Sequence, residues 1–146
     1  MAKTRKFLIV SHGAFAGGIL SALELITGAG GEVAVLQADM DENKSVEEEL
    51  AGLLSGAGVG EEWVVFTDLL GGSITNQVLR VAAGLPGGSS VHVVAGVNLP
   101  LVIEVVLADP GTPVAEVLGE AVGRARDQLV YVNGLISSLS NQVDNA

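Results

Sequence analysis

A chain of 146 residues, 49% hydrophobic and without cysteine, is long enough for one core and short for two domains, and it excludes disulfides, thiolate metal sites and cysteine nucleophiles. A formal net charge of −10 with only 7 Lys and Arg argues against a nucleic-acid partner, whose phosphates call for clustered basic side chains, and favours solubility or a partner with a basic face. The missing disulfides are compatible with a cytoplasmic address.

The N-terminus, Met1 to Lys6, is basic, but the apolar run after it ends within a few residues, so no secretory signal is read. Lys6 to Val10 reads as a strand buried on both faces and stops at Ser11-His12-Gly13. Phe15, Ile19, Leu23 and Ile26 then recur on one helix face, and Gly28, Gly30 and Gly31 end that helix. Glu32 to Gln37 is a second strand, followed by an acidic loop from Asp39 to Asn43. Ser45-Val46-Glu47-Glu48 has the pattern of a capping box, and Val46, Leu50, Leu53 and Leu54 form the stripe of the helix it opens.

Trp63 to Phe66 is the third strand, ending at Thr67-Asp68 before Leu69-Leu70-Gly71-Gly72-Ser73. A third helix is expected from about Ile74 to Ala83, and a fourth strand over Val91 to Ala95, closed by Gly96-Val97-Asn98. Val81 to Ile103 carries no Lys, Arg, Asp or Glu, but Pro86, Gly87, Gly88, Asn98 and Pro100 interrupt it, so it reads as turn, strand, turn and helix start rather than a membrane span. A fourth helix starts near Pro100, and Thr112-Pro113 opens a fifth with proline at its first helical position. Leu129 to Val132 is β-branched and aromatic and is expected to form a short fifth strand. Ser137 to Ala146 reads as a polar, frayed tail.

Strands alternating with helices predict an α/β fold, a doubly wound parallel sheet with helices on both faces. In such sheets ligands sit beyond the carboxyl ends of the strands, where the winding reverses. Three strands end in polar residues: His12, Asp68 and Asn98. If the first and third strands are neighbours, His12 and Asp68 share one crevice. A carboxylate that takes one imidazole hydrogen fixes the tautomer and frees the other nitrogen as a base, metal ligand or nucleophile. Gly13 precedes the first helix, and Gly71, Gly72 and Ser73 precede the third. Helix starts offer unpaired amides and a positive dipole end, which suits a phosphoryl group.

Each residue also has an ordinary structural reading. A histidine at a strand end is often a hydrogen-bonded surface residue, Gly-Gly-Ser before a helix is often only a turn and cap, and Asp68 has the chemistry of a helix cap. No P-loop, dinucleotide fingerprint or nucleophile elbow is present, Ser11-His12-Gly13 lacks the arginine of the histidine-phosphatase motif, and the rim has too few ligands for a metal. His92, in mid-strand, is read as structural, and Glu47 to Glu49 as a solvated face.

Three segments, Leu8 to Leu20 (LIVSHGAFAGGIL), Val64 to Gln77 (VVFTDLLGGSITNQ) and Val93 to Val106 (VVAGVNLPLVIEVV), carry a resemblance to the IIA component of the mannose-type (mannose, fructose and sorbose) sugar phosphotransferase system. The resemblance covers residues 1–136, leaving 137–146 as the tail. It implies strand order 2-1-3-4 and a homodimer in which an antiparallel C-terminal strand, here Leu129 to Val132, is exchanged with the partner. It also implies a phosphoryl carrier that needs no cofactor or metal. Phosphate is taken from the phosphocarrier HPr and passed to a IIB component, for uptake through the membrane components IIC and IID. By resemblance His12 is the phosphorylated histidine, Asp68 its orienting aspartate, and Ser73 with the amides around Gly13 and Gly72 the phosphate cradle. The chain departs from the family where Ile74 and Thr75 stand in place of a proline and an aromatic, while Asn76 is kept. Two other readings share the fold: the phosphodonor subunit of a dihydroxyacetone kinase, and a regulatory module that no longer transfers phosphate.

Overall fold

The computed structural model describes residues 3–39 and 45–144, the last five of these by backbone alone. Beyond Asp39, the expected acidic loop lies outside the described residues. Ten elements follow in chain order: β1 (Thr4–His12), α1 (Phe15–Thr27), β2 (Val33–Ala38), α2 (Val46–Leu53), β3 (Glu61–Thr67), α3 (Ser73–Gly84), β4 (Val91–Val94), α4 (Leu99–Val106), α5 (Val114–Arg126) and α6 (Val132–Asp144). The strands form one parallel sheet in the order β2-β1-β3-β4. The winding therefore reverses between β1 and β3, as the resemblance implies.

The continuous apolar runs make sense in this arrangement, because both faces of the central strands are covered. Phe7, Ile9, Val64 and Phe66 face one way and pack on α1, α4 and α5 through residues such as Leu23, Val102 and Ala121. Leu8, Val10, Trp63 and Val65 face the other way, against Leu50 of α2 and Ile74 and Val78 of α3. Leu8 is fully buried. Leu8→Ala is expected to cost about 2–5 kcal/mol, through lost transfer free energy and the cavity left in a packed layer. A fall in the urea midpoint at unchanged slope would measure it.

Local signals mostly act as the sequence suggests. Gly28 ends α1 in the left-handed conformation, its amide donating to the Glu24 carbonyl. Ser45 Oγ accepts the Glu48 amide at 3.4 Å to open α2. Pro113 is shifted by one position: it sits just before α5, and its carbonyl accepts the Glu116 and Val117 amides.

The C-terminus differs from expectation. Leu129 to Tyr131 pairs with no strand among the described residues of the single chain, and Val132 begins a helix. A β-favouring sequence forms a strand only where an edge is offered to it, and this segment has no such neighbour here. The tail expected to fray is helical through Asp144, with α6 running unbroken across 136–137. Val132, Leu135, Ile136 and Leu139 follow helical spacing, and all four are exposed. No helix among the described residues is long and apolar enough to cross a membrane.

Candidate functional site

Register brings the two central strand ends together. Val10 of β1 lies opposite Thr67 of β3, so His12 and Asp68 emerge side by side at the carboxyl rim. Asp68 Oδ2 accepts the backbone amide of His12 at 2.8 Å and meets the ring Nδ1 at 2.8 Å. An ionised carboxylate can only accept, so Nδ1 carries the hydrogen and Nε2 holds the lone pair. The Asp68 side chain is 10% exposed and that of His12 44%. The pair is thus a buried anchor holding a ring that reaches solvent.

Burial pushes the Asp68 carboxyl pKa up, but the His12 amide, the His12 ring and the Leu69 amide outweigh it and hold the group below its ordinary value. Asp68 Oδ1 is buried and has no hydrogen-bond partner among the described residues.

The two helix starts are not equivalent. At α1 the protein fills two of the positions itself: Ser11 Oγ accepts the Ala16 amide at 2.8 Å, and Gln37 Oε1 accepts the Gly17 amide at 3.1 Å, which leaves the Phe15 amide without a partner among the described residues. The Gly13 amide donates to the Ala38 carbonyl at 3.1 Å. At α3 the position before the helix is Gly72, which offers no side-chain cap, and its own amide is spent on the Leu69 carbonyl at 3.2 Å. The amides of Ser73, Ile74 and Thr75 have no partner among the described residues. Ser73 is exposed. The start of α3, one four-residue turn beyond Asp68, therefore offers the larger set of open amide donors, a chemistry that suits an anion. Gly13 has φ of 54° and Gly71 φ of 75°, and a Cβ at either would meet only open space. Phe15, Leu69 and Leu70, which follow the two strand ends in sequence, are exposed.

Several residues that shape the site escaped sequence reasoning. Gln37 reaches from β2 to the start of α1, and no local pattern marks that contact. Thr67 and Thr75 join their hydroxyls at 2.7 Å, and Thr75 Oγ1 reaches the Leu69 carbonyl at 2.6 Å. Asn98, read as part of the polar rim, is a clasp: its Oδ1 accepts the Leu101 amide at 3.0 Å and its Nδ2 donates to the Ala125 carbonyl at 3.1 Å. A local signal existed here, since Asn ahead of Leu-Pro is a helix-start pattern. His92 pairs with Glu62 at 3.1 Å between β4 and β3, away from the rim.

Residues 6–123 match the EIIA-man family, described as PTS system fructose IIA component. No curated protein matches the chain. Solved structures do. A protein of Klebsiella pneumoniae assigned to a phosphoenolpyruvate-dependent sugar phosphotransferase system is similar at 28% identity and a TM-score of 0.82, over 93% of this chain and 96% of its own. A PTS IIA protein associated with a fucose utilization operon in Streptococcus pneumoniae gives 29% and 0.76, over 93% and 99%. The mannose/sorbose specific IIA subunit of Enterococcus faecalis gives 26% and 0.69, over 87% and 93%.

Proposed function

Since the chain belongs to the EIIA-man family of phosphotransferase-system IIA components, we propose that it is a phosphohistidine carrier that takes phosphate from phospho-HPr on His12 and hands it to a IIB component for sugar uptake. One observation carries this reading. A half-exposed imidazole is held through Nδ1 by a buried carboxylate at 2.8 Å, beside a helix start with three free amides.

On this reading each residue has a task. Nε2 of neutral His12 attacks the phosphorus in line, and the phosphorus–nitrogen bond to the donor breaks as the new one forms. The Nδ1 hydrogen stays on the ring, and Asp68 balances the positive charge that develops there. The amides of Ser73, Ile74 and Thr75 and the Ser73 hydroxyl receive the phosphoryl oxygens, supplying fixed positive dipoles that need no reorganisation. Gly13 and Gly72 leave the backbone low enough for the group to approach. Transfer to IIB runs the same geometry outward. HPr and IIB meet the carboxyl rim, and the work is cytoplasmic, where HPr circulates.

Incubation with phosphoenolpyruvate, enzyme I and HPr, followed by mapping of the acid-labile phosphate, tests the reading. Label on His12 supports it. No label, or label on His92, overturns it.

The same reading makes the protein a homodimer. β4 is an edge strand with one unpaired side. Beside it lies a cleft of about 370 Å³ lined by Leu70, Val94, Asn98, Ala125 and Leu129 among others. Leu129 and Tyr131 are 91% and 79% exposed in the single chain, an exposure that pairing with a second copy would remove. Ending the chain after Gln128 is expected to convert dimer to monomer in sedimentation, with His12 labelling retained.

A further inference from the structure

We propose that Thr75 is a positioning residue for phosphoryl transfer, acting through the bond from its buried hydroxyl to the Leu69 carbonyl, which holds the turn between Asp68 and the open start of α3. The inference rests on the carrier reading above and adds a residue to it.

The bond has a fixed direction. Thr75 Oγ1 lies 2.7 Å from Thr67 Oγ1 and 2.6 Å from the Leu69 carbonyl oxygen. A hydroxyl has one hydrogen and a carbonyl can only accept. The Thr75 hydrogen therefore goes to Leu69, and Thr67 donates to Thr75. Both threonines are buried, at 0% and 4% exposure, so water cannot replace a lost bond cheaply.

The bond ends on the carbonyl that organises the site. Leu69 also accepts the Gly72 amide at 3.2 Å, and its own amide supports the Asp68 carboxylate. One carbonyl thus ties the end of β3, the turn and the first turn of α3 together. Asp68 lies one residue upstream of Leu69, and the Thr75 amide is itself one of the three free donors.

Little else fixes this turn. It carries two adjacent glycines, Gly71 is in the left-handed region at 75°, and Gly72 brings no side-chain cap. Ile74 is buried and anchors the helix from the core side. It leaves φ free where a proline ring would set it. The Thr75–Leu69 bond supplies the missing restraint from the other side. Transfer chemistry is steeply sensitive to placement, with a misplacement of about 1 Å costing on the order of 100-fold.

Three variants of the full chain separate positioning from stability. Thr75→Val keeps shape and removes the bond to Leu69. Thr75→Ser keeps the hydroxyl. Thr67→Val removes one buried hydroxyl but leaves the Thr75–Leu69 bond. Phosphoryl transfer from phospho-HPr is measured in single turnovers, alongside Tm and the proton resonance of His12 Nδ1–H in the unphosphorylated protein. Thr75→Val is expected to slow transfer roughly tenfold at unchanged half-saturating donor concentration, and to shift the Nδ1–H resonance. Thr75→Ser should restore the rate to within about twofold, and Thr67→Val should stay within about threefold of wild type despite a comparable loss of Tm. A wild-type rate in Thr75→Val overturns the proposal. So does equal slowing by Thr67→Val at equal Tm. If the wild-type chain takes no phosphate, the carrier reading fails. The resonance then decides whether Thr75 positions the His12–Asp68 pair: a shift confined to Thr75→Val upholds that, and no shift ends it.

Discussion

His12→Ala is expected to abolish phosphoryl labelling while leaving the protein folded. The ring is the nucleophile in the proposed transfer, and no other imidazole reaches the rim: His92, the second of two histidines, is occupied with Glu62 between β3 and β4. Truncation at position 12 removes a side chain that is 44% exposed, so little packing is lost. The backbone amide of residue 12 still satisfies Asp68 Oδ2. The stability cost is the loss of one charge-assisted hydrogen bond near the surface, about 1–2 kcal/mol. Labelling by the phosphoenolpyruvate relay and a thermal melt together check both halves. His92→Ala is the matched control and should label at the wild-type level.

Asp68→Asn is expected to slow transfer on the order of 10²- to 10⁴-fold, a range anchored at its upper end by the equivalent aspartate change in serine proteases. The reason is charge. The His12 amide and ring meet the same oxygen, Oδ2, so an asparagine oxygen in that place keeps both contacts and the tautomer but loses the negative charge that balances the ring as it becomes cationic in transfer. The substitution also carries a signature in pH. The Asp68 carboxyl is held below its ordinary value, with burial opposing the shift and the His12 and Leu69 contacts winning. A carboxyl whose folded pKa lies below its unfolded value of about 3.9 stabilises the fold above that unfolded value. That contribution disappears as pH falls through the folded pKa. The stability gap between wild type and Asp68→Asn should therefore be full near neutrality and shrink below about pH 4. Urea titrations at several pH values measure it. A gap that widens on acidification would contradict the assignment.

The parts of this fold that were legible share one property: their signal is local, or follows from chain order. The unbroken apolar run of β1, the stripe of α1 and the capping serine of α2 are read within a dozen residues. The meeting of His12 with Asp68 was conditional in the residues alone, since alternating strands and helices leave few topologies without choosing one; the family resemblance supplied the order 2-1-3-4, which puts the reversal between the first and third strands. Residues whose partners lie across the fold were not legible. Gln37 closing the start of α1 and Thr75 bonding to Thr67 leave no mark in composition or spacing. Leu129 to Val132 shows the opposite failure. Its β-branched character was read correctly, but a strand needs a neighbour, and the single chain gives it none. The helix beyond it was missed because its polar residues masked the spacing of Val132, Leu135, Ile136 and Leu139.

A histidine with free torsions would have to be caught in the right rotamer at every collision. Here main chain and ring hang from a single oxygen of Asp68, so folding makes that selection once, before any partner arrives. Collisions can then be short and still succeed, which suits a protein that must release one neighbour quickly in order to reach the next.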